Sequence, residues 1–179
     1  SGWSENAVII NGVAIKHYYT DTFGGRIEAI NEVSEQTGVN ATGQAANLQA
    51  TIGFGKTEGA SNFSYKGMSV NGVEVRLREF EPGDSVADVV TDIVQKVGYH
   101  TRNNGPLSYL DVYSEGSTIY LNASDLEHGI VIDGGASADM YLATKMGGRR
   151  FEGPSIKLEQ EGDEEIRLSM PADPSSYTA

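Results

Sequence analysis

Apolar residues alternate on both sides of an Asn-Gly pair twice in this chain. Val8-Ile9-Ile10-Asn11-Gly12-Val13-Ala14-Ile15-Lys16 returns as Met68-Ser69-Val70-Asn71-Gly72-Val73-Glu74-Val75-Arg76. Alternation of period two predicts short strands, and Asn-Gly tolerates the positive φ angles of a tight hairpin turn. Both copies therefore begin with a hairpin whose structural turn residues are Asn11, Gly12, Asn71 and Gly72.

The period then changes. In copy two, Val86, Val89, Val90, Ile93 and Val97 recur every three or four residues, which predicts one face of a helix over Ser85 to Val97. Asp84 or Ser85 can cap its start, and Asp88 lies in the first turn, where negative charge is favoured. Copy one carries a shorter stripe of Ile27, Ile30 and Val33 within Ile27 to Thr37, with Gly24 and Gly25 where a good cap is expected. Gly38 and Gly98 each follow their Asn-Gly glycine by 26 residues and are read as left-handed helix stops.

Alternation resumes after each helix. Leu48, Ala50 and Ile52 form one run; Leu110–Tyr113, Thr118–Leu121 and Gly129–Ile132 form three more. Ser155–Glu159 and Glu164–Leu168 are read as a further hairpin around Gly162. The expected fold is α+β: two tandem units, each a hairpin plus one amphipathic helix packed on an antiparallel sheet. The first spans residues 4–66 and the second 67–170, with 171–179 a Pro/Ser-rich linker or frayed terminus.

The pattern resembles the hook-type "IN" motif of bacterial flagellins. Copy one matches most fully, through Ile10-Asn11-Gly12-Val13, Ile27-Glu28-Ala29-Ile30-Asn31 and Thr37-Gly38-Val39-Asn40-Ala41-Thr42. Copy two keeps Val70-Asn71-Gly72-Val73 and the helix. It departs where Ile93-Val94 replaces Ile-Asn and where Val97-Gly98-Tyr99-His100 replaces Thr-Gly-Val-x. Gly129-Ile130-Val131-Ile132-Asp133-Gly134 is similar to the glycine-bounded strand that closes the flagellin unit. The resemblance covers most of residues 8 to 168, and related motifs occur in hook-associated and filament-cap proteins.

Flagellins polymerise through long terminal helices, which this sequence does not contain, and it opens Ser1-Gly2 without methionine, as a processed chain would. The resemblance thus implies the central, variable surface region of a flagellar filament subunit, extracellular, with a structural role and no enzymatic one. Its implied partners are other flagellin subunits, and host surfaces or glycans. The alternatives are a domain of a hook-associated or cap protein, or a secreted glycan- or protein-binding adhesin module. Flagellin surface regions carry O-linked sugars, so Ser61, Ser64, Ser114, Ser117, Thr118 and Ser137 become candidate acceptors, although serine in a loop is ordinarily a turn residue.

Charge sharpens this picture. With 25 acidic against 13 basic residues, the net charge of -12 disfavours nucleic acid and anionic lipid as partners. No run of 18 apolar residues predicts a membrane span. Without cysteine there is neither a disulfide framework nor thiol chemistry.

Little in the chain suggests catalysis or a cofactor. Ala50-Thr51-Ile52-Gly53-Phe54-Gly55-Lys56-Thr57 satisfies a relaxed phosphate-loop pattern, but the next residues lack a helical period and Glu58 would face the anion. His17, His100 and His128 have no partners at metal-ligand spacing. Asp125-Leu126-Glu127-His128 is read as a solvated turn, and so is the run Glu159, Glu161, Asp163, Glu164 and Glu165, which lacks the alternation of a calcium loop. No carboxylate pair is singled out for glycoside hydrolysis. The sequons at Asn40, Asn62 and Asn122 carry no weight in a bacterial protein. Tyr18, Tyr19, Tyr99, Tyr109, Tyr113 and Tyr120 offer a glycan- or protein-binding face, against the plainer reading of half-buried sheet tyrosines.

Overall fold

A computed structural model describes residues 2–5, 7–16, 18–52, 68–78, 84–102, 104–134 and 148–170. The fold is mixed α+β with antiparallel sheets. The strands are β1 (Ile9–Ile10), β2 (Val13–Ala14), β3 (Val39–Gln44), β4 (Asn47–Thr51), β5 (Met68–Val70) and β6 (Val73–Val75), followed by β7 (Leu110–Glu115), β8 (Thr118–Ala123), β9 (Ile130–Gly134), β10 (Gly148–Glu152), β11 (Ser155–Gln160) and β12 (Leu168–Ser169). The helices are α1 (Phe23–Asn31), α2 (Ser34–Thr37) and α3 (Val86–Thr101).

The chain divides into two compact units, Ser1–Gln44 with Ser155–Ala179, and Ala45–Pro154. This differs from the tandem division at 66/67, and the strand partners give the reason. The expected C-terminal hairpin does not form: β11 pairs with β3, and β12 pairs with β1. The last strands complete the sheets of the first unit, and the second unit is nested between them in sequence.

Unit 1 holds a three-stranded sheet, β12-β1-β2, and the β11-β3 pair. Its core gathers Val8, Ile10, Ile15, Ala29, Ile30, Val33, Val39 and Ala41. Thr22 caps α1 by accepting from the Gly25 amide at 3.0 Å, so the cap lies just before the glycine pair. The expected single helix breaks at Glu32-Val33, and the four-residue α2 ends on Gly38 at φ 71, the left-handed stop the sequence predicts.

Unit 2 holds two sheets, β4-β8-β7 and β10-β9-β5-β6. The predicted stripe of α3 is buried at Val89, Val90, Ile93 and Val97, against Leu48, Leu110, Ile119, Leu121, Ile130 and Ile132. Ser85 and Asp88 form a reciprocal capping box at its start. Gly98 is not its stop. The residue is buried inside α3, which runs on to Thr101 and ends at Arg102 in extended conformation. The turn comes at Gly105, whose amide donates to the Arg102 carbonyl at 2.9 Å. A side chain there would collide with the His100 carbonyl oxygen.

Stripped of β4 and β10, unit 2 has the same order as unit 1: hairpin, helix, three strands. The β3–β11 pair joins two six-residue strands with Val39 opposite Gln160. In β7–β8, likewise six residues each, Leu110 lies opposite Ala123. A two-residue turn, Gly116-Ser117, connects β7 to β8. At the matching place between β3 and β11, unit 1 carries the whole of unit 2.

Candidate functional site

The residues that define the repeat act as structural anchors. Asn11 and Asn71 adopt φ 50 and 48, and Gly12 and Gly72 adopt φ 83 and 78, the succession of positive angles that a tight hairpin requires. Each asparagine then docks on a strand distant in sequence. The Asn11 amide donates to the Arg167 carbonyl and its Oδ1 accepts from the Arg167 amide, both at 2.9 Å. Asn71 does the same with Val131, at 2.8 and 2.6 Å. Their Nδ2 groups donate to the Thr37 carbonyl and Gln160 in one unit, and to the Gly129 carbonyl and the Tyr109 hydroxyl in the other. Arg167 and Val131 are therefore equivalent, and so are the closing strands β12 and β9. Asn31, the asparagine of the Ile-Asn pair, brackets Ala41 on β3 in the same way, through Oδ1 at 2.7 Å and Nδ2 at 3.0 Å. Val94, which stands in that place in copy two, has no polar atom for the task.

The remaining predicted residues do not assemble into one site. Ser61, Ser64 and Ser137, His17, the sequon at Asn62, the phosphate-loop mimic from Gly53 onward and the tail 171–179 lie outside the described residues. Ser114, Ser117 and Thr118 cluster at the β7–β8 turn; Ser114 is exposed, and the Thr118 hydroxyl meets that of Thr51 at 2.9 Å. Asp125 accepts from the Glu127 and His128 amides, and its carboxylate lies 2.9 Å from His128 Nδ1. The His128 hydrogen bond holds its carboxyl below the usual carboxylate range. Its oxygens are thus engaged by the turn itself. Among the described residues no three His, Asp or Glu side chains are placed to hold a metal ion.

The six tyrosines divide. Tyr18 and Tyr19 belong to unit 1 and are exposed. Tyr109 is used internally, stacked on His128 with centroids 3.9 Å apart while its hydroxyl supports Asn71. Tyr99 on α3 is 76% exposed, its ring edge-on to that of His100 at 5.4 Å. Tyr113 and Tyr120 are opposite one another on β7 and β8 and stack at 4.9 Å.

Two surfaces of unit 2 follow from this placement. The first is the outer face of β4-β8-β7, where register aligns Asn47, Asn122 and Asp111, then Gln49, Tyr120 and Tyr113, then Thr51, Thr118 and Glu115. Asn47 donates to Asn122 across that face. In unit 1 the positions of Tyr113 and Tyr120 are held by Thr42 and Lys157, as the β3–β11 register shows. The fold does not demand aromatic residues there.

The second surface is a trough along the exposed side of α3. Two adjoining hollows of about 540 and 480 Å³ share Gln95, Tyr99 and His100; Arg76 and Lys96 line one, and Arg102 the other. Unit 1 has a smaller groove of about 340 Å³ between the end of β2 and α1, lined by Lys16, Tyr18, Tyr19, Glu28 and Glu32. Lys16 there pairs with Glu32 at 3.2 Å. The grooves occupy corresponding places but carry opposite charge. Sequence reading missed the trough because its cations are scattered, Arg76 after β6 and Lys96 and Arg102 on α3 and at its C-terminal end.

No family model and no curated protein matches this chain. None of the described helices is long and apolar enough to cross a membrane.

Proposed function

We propose that this chain is a surface-exposed outer domain of a bacterial flagellar filament subunit, extracellular and structural, serving swimming motility through filament surface and neighbour contacts. The observation that supports this reading is the repeated Asn-Gly turn: Asn11 and Asn71 anchor equivalent strands in two units of one design. That design carries the IN-type motif on which the resemblance to flagellins rests. The acidic surface fits a subunit held at high density on a shaft, since like charge keeps neighbouring domains from collapsing onto one another.

Deletion of residues 8–168 from the parent protein tests the proposal by electron microscopy of the bacterial surface. Filaments are expected to assemble, with a smaller diameter. Loss of assembly, while the terminal regions are still exported and folded, would place this segment in the polymerisation core and defeat the reading.

A second reading, a glycan-binding module, draws support from the aligned amide, tyrosine and carboxylate side chains of the β4-β8-β7 face. Aromatic faces and amides are suited to the C–H faces and hydroxyls of sugars. Under that reading Tyr113→Ala and Tyr120→Ala would each abolish binding on a glycan array while leaving the circular dichroism of the chain unchanged.

A further inference from the structure

We propose that the basic trough on α3 receives the acidic β11–β12 connection of a second copy of this chain. The trough gathers Arg76, Lys96 and Arg102, three of only 13 basic residues in a chain of net charge -12. Arg76 is already paired at 3.1 Å with Glu74, which also lines the trough, leaving Lys96 and Arg102 as its excess charge. Lys96 and Arg102 make no ion pair among the described residues. The counterpart is the segment between Gln160 and Ile166, where Glu161, Asp163, Glu164 and Glu165 are all exposed and Gly162 turns the chain at φ 98. None of these four carboxylates makes an ion pair among the described residues.

A convex turn bearing only carboxylates suits a concave, cation-lined trough of this size. Gln95 adds an amide and Tyr99 a hydroxyl to the lining, so the carboxylates meet donors as well as charge. The corresponding groove of unit 1 sets Glu28 and Glu32 against a single cation, Lys16, already paired with Glu32, and so disfavours the same turn, which gives the contact a single destination. Because the two surfaces differ, the contact is heterologous and can repeat from copy to copy without closing, as a filament surface requires.

The docking deepens the filament reading and rests on it for its setting, but the contact is measurable in the chain alone. A failed contact would leave the outcome of the filament deletion standing, and the reverse also holds. The chain has no cysteine, so one copy can carry Gln95→Cys and another Glu164→Cys as its sole thiol. Mixed and oxidised at low ionic strength, they are expected to give the heterodimer in excess over both homodimers. With two or three exposed ion pairs, the excess over the statistical proportion should be about tenfold. It should fall to the statistical proportion near 1 M salt, where the screening length is about 3 Å. It should also vanish when Lys96→Glu and Arg102→Glu are added to the first copy. Circular dichroism checks that this variant folds, and Glu161→Gln with Asp163→Asn in the other copy makes the same test from the opposite side. A statistical mixture at low salt, or an excess that survives either set of changes, overturns the proposal.

Discussion

Asn71 unites two demands that are usually met by different residues. Its backbone must enter the left-handed region, and its side chain must bridge the Val131 amide, the Gly129 carbonyl and the Tyr109 hydroxyl. The two demands can be separated by substitution. Asn71→Gly keeps the turn and removes the bridge, leaving partly buried backbone groups without partners, at a cost of about 2 kcal/mol. Asn71→Ala adds the strain of a left-handed alanine, roughly a further 1 kcal/mol. Urea unfolding should therefore order the stabilities as wild type, then Asn71→Gly, then Asn71→Ala. A glycine variant as stable as wild type would show that the side-chain bridge contributes nothing. This residue was legible in the sequence because the turn geometry admits so few residue types, whereas its distant partners left no local trace.

Among the elements, α3 shows best where local reading succeeds and where it stops. The stripe from Val86 to Val97 and the Ser85 cap are local physics, and the helix forms where they place it. Gly98 misleads because a glycine after an apolar stripe has the form of a left-handed stop. Here Val112 lies across from it, and the next turn of helix continues beyond. An added Cβ would lie 3.7 Å from Val112 Cγ1 and 3.8 Å from Arg102, ordinary contact distances. Gly98→Ala should consequently stabilise the protein by up to about 1 kcal/mol through helix propensity. Gly105→Ala should destabilise it by more than about 1 kcal/mol, because the His100 carbonyl cannot yield without moving backbone. Paired thermal melts decide the point, since a left-handed Gly98 would reverse the sign of the first change. The cap also carries a pH signature. The Asp88 carboxylate accepts from the Ser85 hydroxyl at 2.6 Å and from its amide at 2.7 Å, which holds its pKa below the ordinary value. The unfolded chain then binds the proton more readily, so this contribution is present above the ordinary carboxylate range and lost as pH falls through the lowered folded value. Replacing Asp88 by Asn should flatten the loss of stability below about pH 4, and parallel wild-type and variant curves from pH 5 to pH 2 would exclude it.

For the whole molecule, nesting is the feature that sequence pattern could not supply. In unit 1, β1, β2 and β11 are legible as apolar alternation, whereas β3, Val39–Gln44, is not read as a strand. Nothing near β11, however, says that its partner is β3 rather than β12, because pairing energy depends on register and burial and not on sequence distance. The register itself states how the insertion is tolerated: Gln44 and Ser155 are directly opposed at the point where unit 2 begins and ends. A two-residue turn is sufficient to join opposed strand residues, as Gly116-Ser117 does between Glu115 and Thr118. Replacing residues 45–154 by Asn-Gly should then give a small chain that folds as unit 1, with Asn11 still docked on Arg167. Among the described residues its core has eight buried apolar side chains against 18 in unit 2, which makes it the weaker of the two. In the intact chain its amides should accordingly exchange with solvent faster than those of α3 and β8. A dispersed amide spectrum of the shortened chain, with a protected Arg167 amide, is the expected result. A collapsed spectrum, accompanied in the intact protein by equal protection of both units, would mean that the two fold only as one cooperative body.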